Sequence, residues 1–175
     1  MAGRITPASL ATAAKLNRIW VKKATELGLI SPASLDGEDV IVVQVLAVVD
    51  QLVWPGNKRS RSQSRTLEVG LPLVVNTARD SITDIRTTRD TVLWVVQDEV
   101  PKVTNTLGER AQYVIDVLGR RCAYAIPLGE WIATLPKGYE VPATHRLAGH
   151  GALASAIATA DTATEDASLE QSATA

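Results

Sequence analysis

Thr6–Pro32 reads TPASLATAAKLNRIWVKKATELGLISP, and two short helices joined by a tight turn can be read from it. Thr6 offers a hydroxyl to the unpaired amides of a helix start, and Pro7 suits the first helical position, where an N–H would go unpaired anyway. Leu10 and Ala14 then share a face. Asn17 is placed to cap a second helix running from Arg18 to about Leu27, and Gly28 stands where helices often end in a left-handed residue. In that second helix Trp20, Ala24 and Leu27 recur at i, i+4 and i+7 and are expected to face inward. Arg18, Lys22, Lys23, Thr25 and Glu26 then face outward. Ser31-Pro32 breaks the pattern, and Ser34–Asp39 forms a short polar connection that can act as a minimal wing.

The next element starts favourably at Asp36 or Glu38, because carboxylates near a helix N-terminus complement its free amides and dipole. Val40–Trp54 (VIVVQVLAVVDQLVW) is almost wholly apolar, and seven of its fifteen residues are Val. By propensity alone it could be a buried strand. Its length, and a narrow polar stripe at Gln44 and Gln51, favour a helix. So thin a stripe requires burial nearly all round, against the rest of the chain or against a partner subunit.

Pro55-Gly56 ends that element, and Asn57–Arg65 (NKRSRSQSR) reads as a polar, cationic linker. Beyond it, Leu67, Val69, Leu71 and Leu73 alternate as in a half-buried strand. Ala78, Ile82 and Ile85 repeat with helical spacing. Val92–Val96 (VLWVV) reads as a central strand, and Leu107–Leu118 as a helix with Ala111, Val114, Ile115 and Leu118 inward and Gly119 at its end. Ala123–Ile126 and Trp131–Leu135 are expected as short strands. Ala152–Ala175 is rich in Ala, Thr and Ser, with four acids and no basic residue, and is expected to be disordered. The expected class is α+β: a winged helix-turn-helix unit at 1–56, a basic linker at 57–65, a small α+β region at 66–147 and an acidic tail at 148–175.

The formal net charge of -1 hides an asymmetry. Residues 1–65 carry nine Lys/Arg against five Asp/Glu, whereas 66–175 carry nine against fourteen. Such a split suits one part that approaches a polyanion and another that does not. The single cysteine, Cys122, excludes an internal disulfide framework and a Cys-based zinc site, and reads as a buried thiol in a chain made for the cytoplasm. No signal-peptide core and no bilayer span is evident. His145 and His150 lack a nearby ligand cluster and read as loop residues. There is no P-loop, no paired dinucleotide glycines, no G-x-S-x-G and no H-E-x-x-H, so neither an enzyme nor a cofactor is expected.

The stretch from Pro7 to about Val53 resembles the start of a MerR-type winged helix-turn-helix regulator. The resemblance rests on SLATAAKLNRIWVKKATELGLISP at Ser9–Pro32 and on Asp36-Gly37-Glu38-Asp39-Val40 before the apolar helix. A looser likeness is to excisionase-like and other plasmid or phage DNA-binding proteins with the same small fold. The resemblance implies that the second helix enters the major groove, the wing touches the backbone and the next helix packs behind. The wing is short and lacks a Tyr-Arg pair, and no long coiled-coil dimerisation helix follows. Metal or drug sensing is therefore not implied.

These features lead to the expectation of a sequence-specific protein that binds double-stranded DNA as a homodimer, a transcriptional regulator or a plasmid or phage maintenance factor. Arg18, Lys22 and Lys23 would contact phosphates and base edges, and Lys58, Arg59, Arg61 and Arg65 would track the backbone or lie in a minor groove. Trp94, Trp131 and the apolar face of Val40–Trp54 are candidate interface material. The alternative is a self-assembling structural or adaptor protein that binds no nucleic acid.

Overall fold

Asp36 caps the Val-rich helix, which runs over Gly37–Gln51 and is termed α3. The Asp36 carboxylate accepts from the amides of Glu38 and Asp39, and the Asp39 carboxylate accepts in return from the Asp36 N–H at 3.1 Å. This reciprocal box fixes the helix start. Eight apolar residues between Val40 and Val49 are buried, each contributing roughly 1.5–3 kcal/mol for the larger side chains. That gain exceeds the few tenths of a kcal/mol that each β-branched residue typically costs in a helix. The expected polar stripe has a use at Gln44, whose side-chain amide donates to the Ala14 carbonyl at 3.4 Å.

The computed structural model describes residues 5–52, 61–96, 99–118 and 123–147, and the side chains of all of these except 61–69 and 117–118. Before α3 stand α1 (Pro7–Ala13), capped by Thr6, and α2 (Arg18–Glu26), capped by Asn17, whose side chain accepts from Ile19 N–H at 3.0 Å. Gly28 ends the segment in the left-handed region at φ 69°. The buried face of α2 is rotated from the expected one: Val21 and Ala24 are buried, Trp20 is half-buried, and Leu27 stays 40% exposed. Leu29 and Ile30 fill the place expected for Leu27, because the chain doubles back after Gly28 and tucks them into the core. Of the wing expected at Ser34–Asp39, Ser34–Asp36 form a bend and irregular chain and Gly37–Asp39 already belong to α3, so it is not a β-hairpin.

The largest departure from the sequence pattern follows Pro55. A single helix, α4, spans Arg61–Thr83 and replaces both the end of the expected linker and the strand expected at Leu67–Leu73. The alternation of 67, 69, 71 and 73 is local, whereas Leu71, Val74, Val75, Ala78 and Ile82 recur with a helical period, and all five are buried in the common core. Packing against the exposed flank of a very apolar α3 selects the helical stripe. Pro72 sits inside α4 on its exposed side. Ile85 lies beyond the helix and is 81% exposed.

A three-stranded antiparallel sheet follows, in the order β2 (Lys102–Thr104), β1 (Val92–Val96), β3 (Ala123–Ile126). The central place of VLWVV and the strand at Ala123–Ile126 match the sequence expectation. Leu93 pairs with Val103 on one side and Ile126 on the other. Leu93 and Val95 face the core shared with α3 and α4, while Trp94 turns to the opposite face and packs against Tyr113, ring centroids 5.4 Å apart. Tyr113 closes α5 (Leu107–Tyr113), which continues as a π-helical turn at Val114–Leu118.

Three further expectations are corrected. Ala111, Val114 and Ile115 do not face inward but are exposed, because α5 covers the sheet through Tyr113 instead. Trp131–Leu135 is not a strand: Trp131–Ala133 form the end of α6 (Leu128–Ala133), in which Leu128 and Ile132 are buried one helical turn apart, and Thr134 and Leu135 follow as a turn and irregular chain. Trp94 and α3 are buried within the chain itself, which removes them as interface material. A last helix, α7 (142–147), closes over the core with Ala143 and Leu147. The approach to it binds the chain's two halves, since a Cβ at Gly37 would lie 2.0 Å from the Tyr139 carbonyl oxygen. Only glycine permits that contact. The structure of the tail at 148–175, Cys122, His150, Gly119 and Val53–Ser60 lies outside the described residues.

Candidate nucleic-acid interface

Residues Ala14–Asn17 connect α1 to α2 in a tight turn, with Lys15 held at φ 57°. A non-glycine residue in that region is uncommon, and here it lets Leu16 N–H bond back to the Ala11 carbonyl at 2.9 Å. The turn is exposed at Lys15 and Asn17. The exposed surface then continues along α2 through Arg18, Ile19 and Lys22, which share a face by their spacing. Ile19 is 63% exposed between two cations.

The three cations expected on α2 are not equivalent. Arg18 is exposed, and its side chain makes no hydrogen bond or ion pair with other described residues. Lys22 is exposed and lies 3.6 Å from Glu26 one turn on, an ion pair too solvated to hold it. Lys23 is turned the other way, with its ammonium 2.5 Å from the Asp50 carboxylate of α3 and 5.7 Å from the centroid of the Trp20 ring. It fastens α2 to α3 and is not part of the outer surface. Lys58 and Arg59 lie outside the described residues. Arg61 and Arg65 fall in the first turns of α4, not in a linker. Lys15 and Ile19 were missed in the sequence because neither belongs to a charge run; the turn after an AAK triplet was the signal for Lys15.

Behind this surface the unit is braced electrostatically. Arg79 of α4 donates to the Leu29 carbonyl at 2.9 Å and reaches the Asp39 carboxylate at 3.5 Å. Burial nonetheless pushes Asp39 up to about 6, helped by neighbouring Asp36, since the Asp36 amide and Arg79 only partly offset the loss of solvent. Burial and Asp36 likewise raise Glu38. The start of α3 is therefore a proton-sensitive joint between the first three helices and α4.

Among the described residues no three His, Cys, Asp or Glu side chains are grouped to hold a metal ion. His145 is exposed on α7. No helix of the described residues is long and apolar enough to cross a membrane. No protein-family model, no curated protein and no solved structure matches the chain.

Proposed function

We propose that α1–α3 form a helix-turn-helix unit that binds double-stranded DNA, with α2 laid in the major groove and Lys15, Arg18 and Lys22 meeting it. The observation that carries this is the outer face of α2, where Arg18, Ile19 and Lys22 are presented together by two helices joined through a four-residue turn at 14–17 and backed by α3. An arginine near the start of such a helix suits the O6 and N7 atoms of guanine, a lysine suits phosphate, and an exposed isoleucine suits a thymine methyl. The cationic excess of residues 1–65 supports the same choice. The biological role in this reading is regulation of transcription or maintenance of a plasmid or phage.

One short helix supplies little affinity, so the reading includes a two-fold dimer over two half-sites. The surface assigned to pairing is the outer stripe of α5 and its π-helical extension, where Leu107, Val114 and Ile115 are 61%, 44% and 73% exposed. A second copy of the chain is the occupant that a two-fold DNA complex requires.

Fluorescence anisotropy with a pool of random duplexes tests the interface. Wild-type protein is expected to bind with affinity that falls steeply between about 50 and 200 mM salt. Arg18→Ala with Lys22→Ala should weaken binding by about tenfold or more, and Lys23→Ala by much less. No binding at the lower salt, or equal losses for Lys23→Ala and the double variant, would refute the assignment. Sedimentation of Ile115→Glu tests the pairing surface: a dimer turned into a monomer supports it, and an unchanged mass overturns it.

A further inference from the structure

A cleft of about 620 Å³ opens between the C-terminal half of α4 and α5, with β2 between them. The layering explains it. α4 packs on the core face of the sheet, α5 covers the opposite face through Tyr113 and Trp94, and β2 is an edge strand whose other side pairs with β1. The cleft therefore looks onto the free edge of Lys102–Thr104, which bonds no other strand among the described residues.

Its walls are acidic. Asp80 and Asp84 come from the α4 side, Glu109 and Asp116 from the α5 side. Arg86 also lines it but is spent on Asp84, with Nη2 2.8 Å from the carboxylate, and Asp84 is held below its ordinary range by that contact. Lys102 is left against Asp80, Glu109 and Asp116, so the cleft keeps a negative surplus. Its floor supplies unused donors. Asn105, only 8% exposed, accepts from the Thr91 hydroxyl at 3.0 Å through Oδ1, while its side-chain NH2 has no acceptor among the described residues. The buried Thr104 hydroxyl accepts from Trp94 Nε1 at 3.0 Å and has its own proton to give.

Acceptors are wanted at the floor and cations at the walls. A polyamine supplies the second and not the first, and a nucleic acid brings the wrong charge. We propose that this cleft binds an extended, arginine- or lysine-bearing polypeptide segment of a partner protein, which adds to the edge of β2. Its backbone N–H groups donate to the carbonyls on the open side of β2, its backbone carbonyls accept from Asn105 and Thr104, and alternate side chains reach Asp80 on one wall and Asp116 on the other. Tyr113, which also lines the cleft, offers a ring face to a guanidinium. A volume of this size accommodates a few residues, within the ordinary range for binding clefts.

The test uses the full chain labelled with 15N and four probes: a capped hexapeptide alternating arginine and threonine, the same peptide with glutamate for arginine, the arginine peptide N-methylated along its backbone, and spermine. The arginine peptide is expected to shift the amide resonances of residues 102–105, and its affinity to fall at least about tenfold in Asp80→Asn with Asp116→Asn. Both side chains are exposed, so the fold should tolerate the change. The glutamate peptide, the N-methylated peptide and spermine should leave those resonances in place. Three results would overturn the proposal: no shift with the arginine peptide at low salt, equal binding of the N-methylated form, or equal shifts with spermine. None of them bears on duplex binding by α2.

Discussion

The first three helices and the region from α4 onward are stabilised in different ways. In α1–α3 each boundary is set by a neighbour in sequence: Thr6 with Ser9, Asn17 with Ile19, Asp36 with Asp39. From α4 onward the decisive partners are far away, as in Arg146 donating to the Asp84 carbonyl at 2.9 Å and Gly37 lying under Tyr139. The surfaces differ too, cationic on the outer face of α2 and acidic in the cleft beside β2. Local signals can make helices, but α3 is stable as a nearly all-apolar helix only because the second region covers it.

That comparison breaks most visibly at Leu46, fully buried in the shared core. Leu46→Ala should cost about 2–5 kcal/mol, and denaturant unfolding followed by far-UV and Trp signals should remain one coincident transition. Two separate transitions would mean that the regions do not depend on each other. Gly37→Ala attacks the same union from its edge. With the new Cβ driven against the Tyr139 carbonyl, about 1–3 kcal/mol should be lost, and an unchanged melting temperature would contradict the contact.

The joint at Asp39 gives a smaller, pH-dependent effect. Its folded value, about 6, lies above the ordinary 3.8, so the carboxylate's contribution to stability is fully present below about 4 and is lost as pH rises through 6. Asp39→Asn keeps an acceptor for the Asp36 amide and removes the titration. The variant should therefore gain relative to wild type between pH 4 and 7, by on the order of 1–3 kcal/mol, measured as the difference between the two unfolding curves at each pH. A constant difference would show that Asp39 is not the titrating group. Least of all, Ile115→Thr should move the stability of the chain by under about 0.5 kcal/mol, because its side chain is exposed. A large loss would place α5 inward, as the sequence pattern had it.

What could be read in advance follows the same division. Thr6, Asn17 and Gly28 have functions that depend on two or three neighbouring residues, so the ends of α1 and α2 were legible. The face of α2 was not, because Trp20 and Leu27 obey the period as well as Val21 does, and only the return of Leu29 and Ile30 decides which are covered. Arg18 and Lys22 were identified correctly as outward, while Lys23 was not separable from Lys22 without the position of Asp50. The cleft beside β2 had no signal in the sequence, since Asp80, Glu109 and Asp116 are ordinary carboxylates until α4 and α5 bring them to one edge.

The sequence by itself determined the α+β class, the caps and turn of the first two helices and the central strand VLWVV, because each depends on a short-range period or a side chain bonding its own backbone; it favoured a helix for the Val-rich stretch through the stripe at Gln44 and Gln51, and burial against α4 settled it. Tertiary structure decided the rest. Leu67–Leu73 carries both a strand-like and a helix-like pattern, and the apolar flank of α3 selects the helix by burying Leu71, Val74 and Val75. Trp131–Ala133 becomes helical because that state buries Leu128 and Ile132 together, and Val114 and Ile115 are left outside because Tyr113 has already covered Trp94. Where two local patterns compete at similar cost, the partner that removes more apolar surface from water chooses between them.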